Sequence, residues 1–125
     1  NLKDNKLDNC FLLGFKNNPY NYLSKSKLYI STSLWEEPGH TLLEAGYLNV
    51  PILSSNCPNG PDEIIQDGFN GLKYEMNNKN DFLKKIETFN HLKSIEKKNL
   101  CLNMKKAIFN YTKYRFCKKF SNFIY

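Results

Sequence analysis

Apolar and polar positions along the chain predict short strands that alternate with helices. Three runs are apolar or β-branched enough for strands: "CFLLGF" at residues 10–15, which reads as a buried strand ended by a glycine, "KLYISTS" at residues 27–33 and "VPILSS" at residues 50–55. A shorter run, "LKY" at residues 72–74, predicts a fourth strand. Strands that alternate with helices in this way indicate an α/β domain with a mainly parallel sheet.

The helix predicted at residues 40–49 is the most clearly periodic segment between these strands. Its apolar positions recur at helical spacing and form one face: Leu42, Leu43, Gly46 and Tyr47. Ala45 and Gly46 keep part of that face small, which would let the helix lie close to the sheet. Pro19 is well placed as the first residue of a shorter helix earlier in the chain.

The second half of the chain is predicted to be mainly helical. Helices are expected at residues 62–66, 81–90 and 95–109. Thr112 can cap a last helix, whose apolar stripe would comprise Phe116, Phe120 and Phe123.

Composition narrows the classes of function. At 125 residues the chain is one domain or part of one. No run approaches the roughly 18 apolar residues of a membrane-spanning helix, and no signal segment is recognisable at the start, so we expect a cytoplasmic chain. The four cysteines are far apart and form no C-x-x-C pair, so neither a zinc site nor a redox pair is expected.

The positive charge is concentrated in the last third of the chain. The net charge is +6, yet residues 1–78 carry six lysines against nine acidic residues, whereas residues 79–125 carry twelve basic against three acidic residues. A basic, aromatic-rich tail is compatible with a membrane surface, an acidic acceptor or nucleic acid. A solvated helical face is the preferred interpretation, because all but one of the basic residues are Lys, whereas Arg is favoured for phosphate.

The stretch "SLWEEPGHTLLEAG", residues 33–46, gathers Glu36, Glu37 and Glu44 around a Pro-Gly turn. It lies at the carboxyl end of the predicted strand 27–33, and "NCPNGP" lies at the same end of the strand 50–55. Ligands bind beyond the carboxyl ends of the strands in parallel sheets. The acidic turn is therefore the first candidate for a binding site.

The start of the helix after this turn can bind an anion. If Gly39 leads into the helix, the free backbone amides of His40, Thr41 and Leu42 point out of its first turn. Such a helix start attracts negative charge, and phosphate is the commonest biological anion.

The two carboxylates on either side of this helix start suggest what else the ligand carries. Glu36 precedes the helix and Glu44 lies about one turn inside it. Carboxylates accept hydrogen bonds from hydroxyl groups, so a diphosphate between two polyhydroxylated rings, as in a nucleotide sugar, fits the pattern. The simpler alternative is that these residues are solvated acids, because anion sites at helix starts are common and unspecific.

"EEPGHTLLE", from Glu36 to Glu44, resembles the E-x7-E signature of retaining nucleotide-sugar glycosyltransferases of family 4, also described as glycosyl transferases group 1, whose fold is the two-domain GT-B type. The neighbouring stretches "FLLGFKNNPYNYLSKSKLYISTSLWEEPG" and "LLEAGYLNVPILSSNCPNGPDEIIQDGFNGLKYE" resemble that family in order and spacing. The likeness is continuous over about residues 10–90 and weak over "YTKYRFCKKFSNFIY".

This resemblance implies a Rossmann-like parallel sheet with flanking helices, the second half of the C-terminal, donor-binding domain of a GT-B enzyme. Residues 1–125 would then be a partial nucleotide-sugar-binding domain, with residues 92–125 as its closing helical segment. The family's Arg or Lys pair that neutralises the diphosphate has no counterpart before Asn1. The chain is therefore interpreted as a fragment that is inactive alone.

The resemblance also implies roles for residues at matching positions. Glu36 would be the catalytic-site residue that holds the transferred sugar, and Glu44 would hold the ribose hydroxyls of the donor. The diphosphate would meet the backbone amides of Gly39, His40, Thr41 and Leu42. His40 is expected to be a local phosphate or loop contact and not a general base. Glu37 replaces the glycine usual after the first glutamate, which affects only the fine geometry of the loop.

Further donor contacts are implied on both sides of this centre. Gly14, Phe15 and Tyr20 fall where the family lines its base pocket, although simple packing is an equal alternative for Tyr20. Gly60 falls in the family's second loop, next to Pro58 and Asn59. Glu63 belongs to the same loop, with a structural helix cap as the alternative.

The activity implied is transfer of a sugar from a UDP- or GDP-sugar to an acceptor hydroxyl with retention of configuration, without a bound metal. The expected acceptor is a glycan or a lipid-linked glycan in polysaccharide biosynthesis, bound by the missing N-terminal domain at the inner face of the membrane. Two alternatives stay open: a non-catalytic nucleotide-sugar-binding remnant, and a GT-B-fold nucleotide-sugar 2-epimerase, which lacks the "WEEPGHTLLEAG" pattern. Nucleic acid is not an expected partner.

Overall fold

A computed structural model describes residues 9–37 and 39–111 of the chain. Three short strands form one parallel sheet in the order β1-β2-β3. They are β1 (Tyr29–Ser31), β2 (Ile52–Ser55) and β3 (Leu72–Tyr74). Tyr29 pairs with Ile52, and Leu53 pairs with Leu72. The predicted α/β class with a parallel sheet is confirmed, and β3 spans the predicted residues.

Five helices and a 3₁₀ turn surround this sheet in the part of the chain that the structure describes. They are α1 (Tyr20–Leu23), α2 (His40–Tyr47), α3 (Gly60–Ile64), α4 (Lys79–His91), α5 (Ser94–Ile108) and the turn Phe109–Tyr111. The helix predicted at residues 81–90 begins two residues earlier, because the Asn78 side chain caps it by accepting from the Asp81 amide at 3.0 Å.

The two faces of the sheet support separate apolar cores. Ile52 packs with residues of α2 and α5, whereas its neighbour Leu53 packs with residues of α4. Successive side chains of a strand point to opposite faces, so β2 contributes to both cores. The domain therefore has helices on both faces of the sheet, as the sequence predicts for an α/β fold.

Helix α2 lies against α5 at a position where only a small side chain fits. A Cβ atom on Gly46 would lie 2.6 Å from Cγ of the buried Met104. The prediction that small residues allow close packing on this face is confirmed. The element packed against Gly46 is α5, however, and not the predicted sheet. Tyr47 was predicted on the apolar face and this is wrong: its ring is 70% exposed, with the Lys105 ammonium 5.7 Å from its centre.

The prediction of a buried strand at residues 10–15 is also wrong. Phe11, Leu12 and Phe15 are 77, 87 and 91% exposed, and Gly14 has a φ of +62°. None of the described strands pairs with this run, and an extended segment without a ladder partner leaves its backbone groups to water. An apolar composition is therefore not sufficient to predict a strand at residues 10–15.

The last predicted helix, with the proposed cap Thr112 and the stripe of three phenylalanines, lies outside the described residues. Among the residues that are described, no helix has both the length and the apolar character needed to cross a membrane.

Candidate functional site

Two loops meet beyond the carboxyl ends of β1 and β2. Glu36, in the first loop, forms an isolated parallel bridge with Asn59, in the second. A Cβ on Gly39 would lie 3.3 Å from the Cα of Gly60, and Gly39 has a φ of +75°. Both the left-handed conformation and the close backbone contact favour glycine at this position. The acidic turn and the second predicted loop are thus brought together.

A chain of serine hydroxyls holds the carboxylate of Glu36. The Ser33 hydroxyl donates to Glu36 Oε1 at 2.6 Å, and the Ser31 hydroxyl donates to Ser33 Oγ at 3.3 Å. From the next strand, the Ser55 hydroxyl donates to the Ser33 carbonyl at 2.5 Å. The sequence motifs do not single out these serines; the signal for them is a short polar side chain at the end of each of two strands.

Helix α2 begins at the left-handed Gly39, which acts as its N-cap without a side-chain hydrogen bond. Among the described residues, the backbone amides of His40 and Thr41 have no acceptor. The amide of Leu42 donates to the Gly39 carbonyl at 3.0 Å, so the expectation that this amide is free for an anion is wrong. The tight first turn of α2 explains this hydrogen bond.

The side chains around this helix start are exposed or fixed by neighbours. His40 is exposed. The Tyr29 hydroxyl donates to Thr41 Oγ1 at 2.9 Å, which links the start of β1 to the first turn of α2. The exposed side chains of His40 and Thr41 therefore make the described surface beside these two amides polar.

Glu44 lies one turn inside α2 and is half-buried. The Tyr20 hydroxyl, on α1, donates to Glu44 Oε1 at 3.0 Å. This hydrogen bond, and then the negative charge of Glu44, raise the pKa of Tyr20, because ionisation would place a second negative charge beside the carboxylate. The Tyr20 ring is 45% exposed, so its identified contact is polar and not core packing.

The other predicted base-pocket residues are open to solvent. Phe15 is 91% exposed, and a Cβ on Gly14 would meet no heavy atom within 4 Å. Their assignment to the base stays a prediction, as do the ligand roles of the other candidate residues.

Gly60 begins α3 and is buried against Gly39. The N-cap of α3 is Asn59, which makes no side-chain capping bond, and the described hydrogen bonds include none to the Glu63 carboxylate. The Glu63 carbonyl accepts from the Tyr111 hydroxyl at 3.5 Å.

A cleft of about 310 Å³ lies on the α4 side of the sheet and is lined by Ser55, Tyr74 and Phe82 among others. Neither Glu36 nor Glu44 lines it. The described residues contain no group of three or more His, Cys, Asp or Glu side chains suited to hold a metal ion.

Three comparisons with known proteins agree on the type of protein. The profile of the family described as "Glycosyl transferases group 1" matches residues 2–110. An uncharacterized glycosyltransferase of Methanocaldococcus jannaschii is 41% identical over 63 residues, which are 50% of this chain and 16% of that protein. A poly(ribitol-phosphate) alpha-N-acetylglucosaminyltransferase of Staphylococcus aureus is 35% identical over 86 residues, 68% of this chain and 17% of that protein.

A solved structure extends this likeness to the fold. The crystal structure of a Staphylococcus aureus TarM mutant in complex with fondaparinux, alpha-GlcNAc-glycerol and UDP has a TM-score of 0.84 and 28% identity. The match covers 97% of this chain and 25% of the TarM chain. This chain therefore spans about a sixth of the two curated relatives and a quarter of TarM. Because the family profile matches most of its length, the chain belongs to the glycosyl transferases group 1 family and has an α/β fold of the GT-B glycosyltransferase type.

Proposed function

We propose that this chain forms the donor side of a retaining glycosyltransferase of family 4, which transfers a sugar from a UDP- or GDP-sugar to an acceptor hydroxyl. The observation that carries the proposal is the placement of Glu36 and Glu44 around the left-handed Gly39 that begins α2. One carboxylate precedes the helix start and the other follows it by about one turn. This order matches the order of groups in a nucleotide sugar.

The diphosphate of the donor would lie at the start of α2. The free amides of His40 and Thr41 supply hydrogen bonds, and the helix dipole places partial positive charge there. When the glycosidic bond of the donor breaks, negative charge builds on the departing diphosphate. Backbone N–H groups that already point toward that charge stabilise it without reorganisation. These groups need no metal ion as a partner, and we propose that none is required.

The transferred sugar would lie at Glu36. With Ser33 donating to Oε1, the other carboxylate oxygen has no partner among the described residues and can accept from sugar hydroxyls. A sugar held in this way is oriented for an oxocarbenium-like transition state. Retention of configuration is proposed from the family resemblance alone.

The nucleoside would lie at Glu44, whose carboxylate can accept from ribose hydroxyls. UDP is the first nucleotide to test, because the TarM structure contains UDP. The acceptor would be a glycan or lipid-linked glycan bound by a separate N-terminal domain. We therefore propose that this chain alone binds the donor and does not transfer it.

The experiment that tests this proposal is a titration of the chain with UDP, GDP and their sugars by calorimetry and tryptophan fluorescence. Trp35, the single tryptophan, is adjacent to Glu36 and 61% exposed, so a ligand at this loop should change its emission. Glu44→Ala should weaken nucleotide binding by about 1 to 3 kcal/mol, the scale for losing a hydrogen-bond partner. Glu87→Ala, on an exposed turn of α4, is the control and should leave binding unchanged.

Glu36→Ala should reduce the extra affinity of a UDP-sugar over UDP while leaving UDP itself bound. A folded chain that binds neither nucleotide would contradict the proposal. Binding without transfer by a form of the enzyme that contains the acceptor domain would instead favour a non-catalytic nucleotide-sugar-binding protein.

A further inference from the structure

A single hydrogen bond joins two distant segments at the ribose end of the site. Tyr20 and Glu44 are 24 residues apart, and the tyrosine hydroxyl donates to Oε1 at 3.0 Å. Among the described residues, this is the one side-chain hydrogen bond that links α1 to α2. The contact therefore fixes the position of a glutamate side chain from outside its own helix.

Helix α1 has few other attachments. It is four residues long and has no buried residue, and within the described residues Leu23 is its one side chain that packs against the core. Its other hydrogen bonds are local: the Tyr20 amide donates to Asn18 at 3.2 Å, and Ser26 donates to the Tyr22 carbonyl at 3.0 Å. A core-packing role does not account for the long-range bond of Tyr20.

The bond occupies one oxygen of Glu44 and leaves the other available. Oε1 accepts from Tyr20, whereas Oε2 has no partner among the described residues. A free glutamate side chain samples several rotamers, and a hydrogen bond from a donor on another helix favours one of them. A tyrosine hydroxyl is protonated at neutral pH, so Tyr20 can donate to the ionised carboxylate of Glu44.

We propose that Tyr20 is a positioning residue for Glu44: by holding the carboxylate, it strengthens the discrimination that the site makes between nucleotides with and without ribose hydroxyls. The inference rests on the proposed function. Tyr20 holds the carboxylate so that Oε2 meets the vicinal hydroxyls of the ribose. A nucleotide without these hydroxyls leaves Oε2 unpaired in the complex and binds less well.

The experiment compares UDP with 2′,3′-dideoxy-UDP on the full chain, by calorimetry and Trp35 fluorescence. The measured quantity is the dissociation constant of 2′,3′-dideoxy-UDP divided by that of UDP, because the two ligands differ only in the ribose hydroxyls. The wild type should prefer UDP, and Tyr20→Phe should reduce that ratio about 3- to 10-fold, the net scale for one hydrogen bond. Tyr22→Phe is the matched control, because Tyr22 lies on the same helix, is 48% exposed and has no hydroxyl partner among the described residues.

Glu44→Gln provides the second arm. It should lower the ratio, and Tyr20→Phe should have no further effect in that background if the two residues act as one unit. A ratio that is unchanged in Tyr20→Phe while the wild type prefers UDP would overturn the inference and leave the proposed function intact. Equal weakening of both nucleotides would also overturn it, because Tyr20 would then act on the base or the fold. A folded wild type that does not bind UDP would overturn both.

Discussion

The two ends of the candidate site, the proposed sugar end at Glu36 and the proposed ribose end at Glu44, are held in different ways. At the sugar end, Glu36 accepts from Ser33, three residues away, and the loop is joined to the next one by the bridge to Asn59. At the ribose end, Glu44 accepts from Tyr20, 24 residues away on a helix without buried residues.

This difference indicates which end of the site is rigid. The sugar end is built on two strand ends whose serines, Ser31 and Ser55, are 5 and 1% exposed. Buried, fully paired polar groups at the ends of core strands resist local opening. The ribose end depends on one exposed hydrogen bond. We infer that the sheet fixes the geometry around Glu36, whereas one exposed hydrogen bond from α1 sets the geometry around Glu44.

The largest expected effect on stability comes from Gly39→Ala, which changes the N-cap of α2, between Glu36 and Glu44. Gly39 has a φ of +75°, and its Cβ would lie 3.1 Å from Leu42 Cδ1 and 3.3 Å from the backbone of Gly60. The left-handed conformation costs about 1 to 2 kcal/mol for alanine, and the contact with backbone adds to this. We expect a loss of about 2 to 3 kcal/mol in the free energy of unfolding, measured by urea denaturation.

Gly68→Ala is the matched control for this variant. Gly68 also has a φ of +75°, but its Cβ would meet no heavy atom within 4 Å. It should therefore lose only the conformational part, about 1 to 2 kcal/mol. Equal losses in the two variants would mean that the two loops do not approach each other as closely as described.

The sequence predicted the parts of this site that depend on short-range patterns. Helix α2 begins at His40 as expected, because Leu42 and Ala45 give a clear apolar face and Gly39 a clear start. Strand β3 was predicted at its observed bounds for a similar reason: a short apolar run between turn residues. Ser33 lies only three residues from Glu36, so its hydrogen bond to that carboxylate is predictable from the sequence.

The parts that the sequence did not predict depend on distances through space. Nothing in the spacing of Tyr20 and Glu44 indicates that they form a hydrogen bond. The run at residues 10–15 has the composition of a buried strand, but burial requires a neighbouring strand, and composition does not show whether one is present. The bond between the Leu42 amide and Gly39 depends on the tightness of one turn, which the sequence leaves open.

The second prediction, with a smaller expected effect, tests whether the serine hydrogen bonds hold Glu36 in place. Ser55→Ala removes the hydrogen bond to the Ser33 carbonyl and should lower the free energy of unfolding by about 1 kcal/mol. Ser54→Ala is the control on the neighbouring position of the same strand. Ser54 is fully buried, and its hydroxyl has no partner among the described residues. Its removal should raise the free energy of unfolding by up to about 1 kcal/mol.

Changes of the same sign in these two variants, measured by urea denaturation, would contradict the hydrogen-bond pattern of β2. Ser55→Ala should also reduce the extra affinity of a UDP-sugar over UDP, because Ser33 then holds Glu36 less firmly. Ser54 faces the opposite side of the strand, so its variant should leave that affinity unchanged.

The smallest expected effect is a difference in what raises the pKa of two tyrosines, Tyr20 near Glu44 and Tyr74 near Ser31. At the ribose end, the hydrogen bond to Glu44, and then its charge, raise the pKa of Tyr20 above 10.0. At the sugar end, burial, and then the charge of Cys57, raise the pKa of Tyr74, whose hydroxyl lies 3.4 Å from the Ser31 carbonyl. A raised pKa means that the folded state holds the proton more tightly than the unfolded state. Both contributions to stability are therefore complete below pH 10 and are lost as the pH rises through the folded pKa values.

An absorbance titration of tyrosinate separates the two causes. The difference between the wild type and Tyr20→Phe isolates the titration of Tyr20 from those of the other seven tyrosines. Glu44→Gln should move the Tyr20 titration to lower pH, because it removes the negative charge, and should leave Tyr74 unchanged because burial dominates there. An unchanged Tyr20 titration in Glu44→Gln would show that the hydroxyl and the carboxylate are not paired in solution. The ribose end would then lack the contact that distinguishes it from the sugar end.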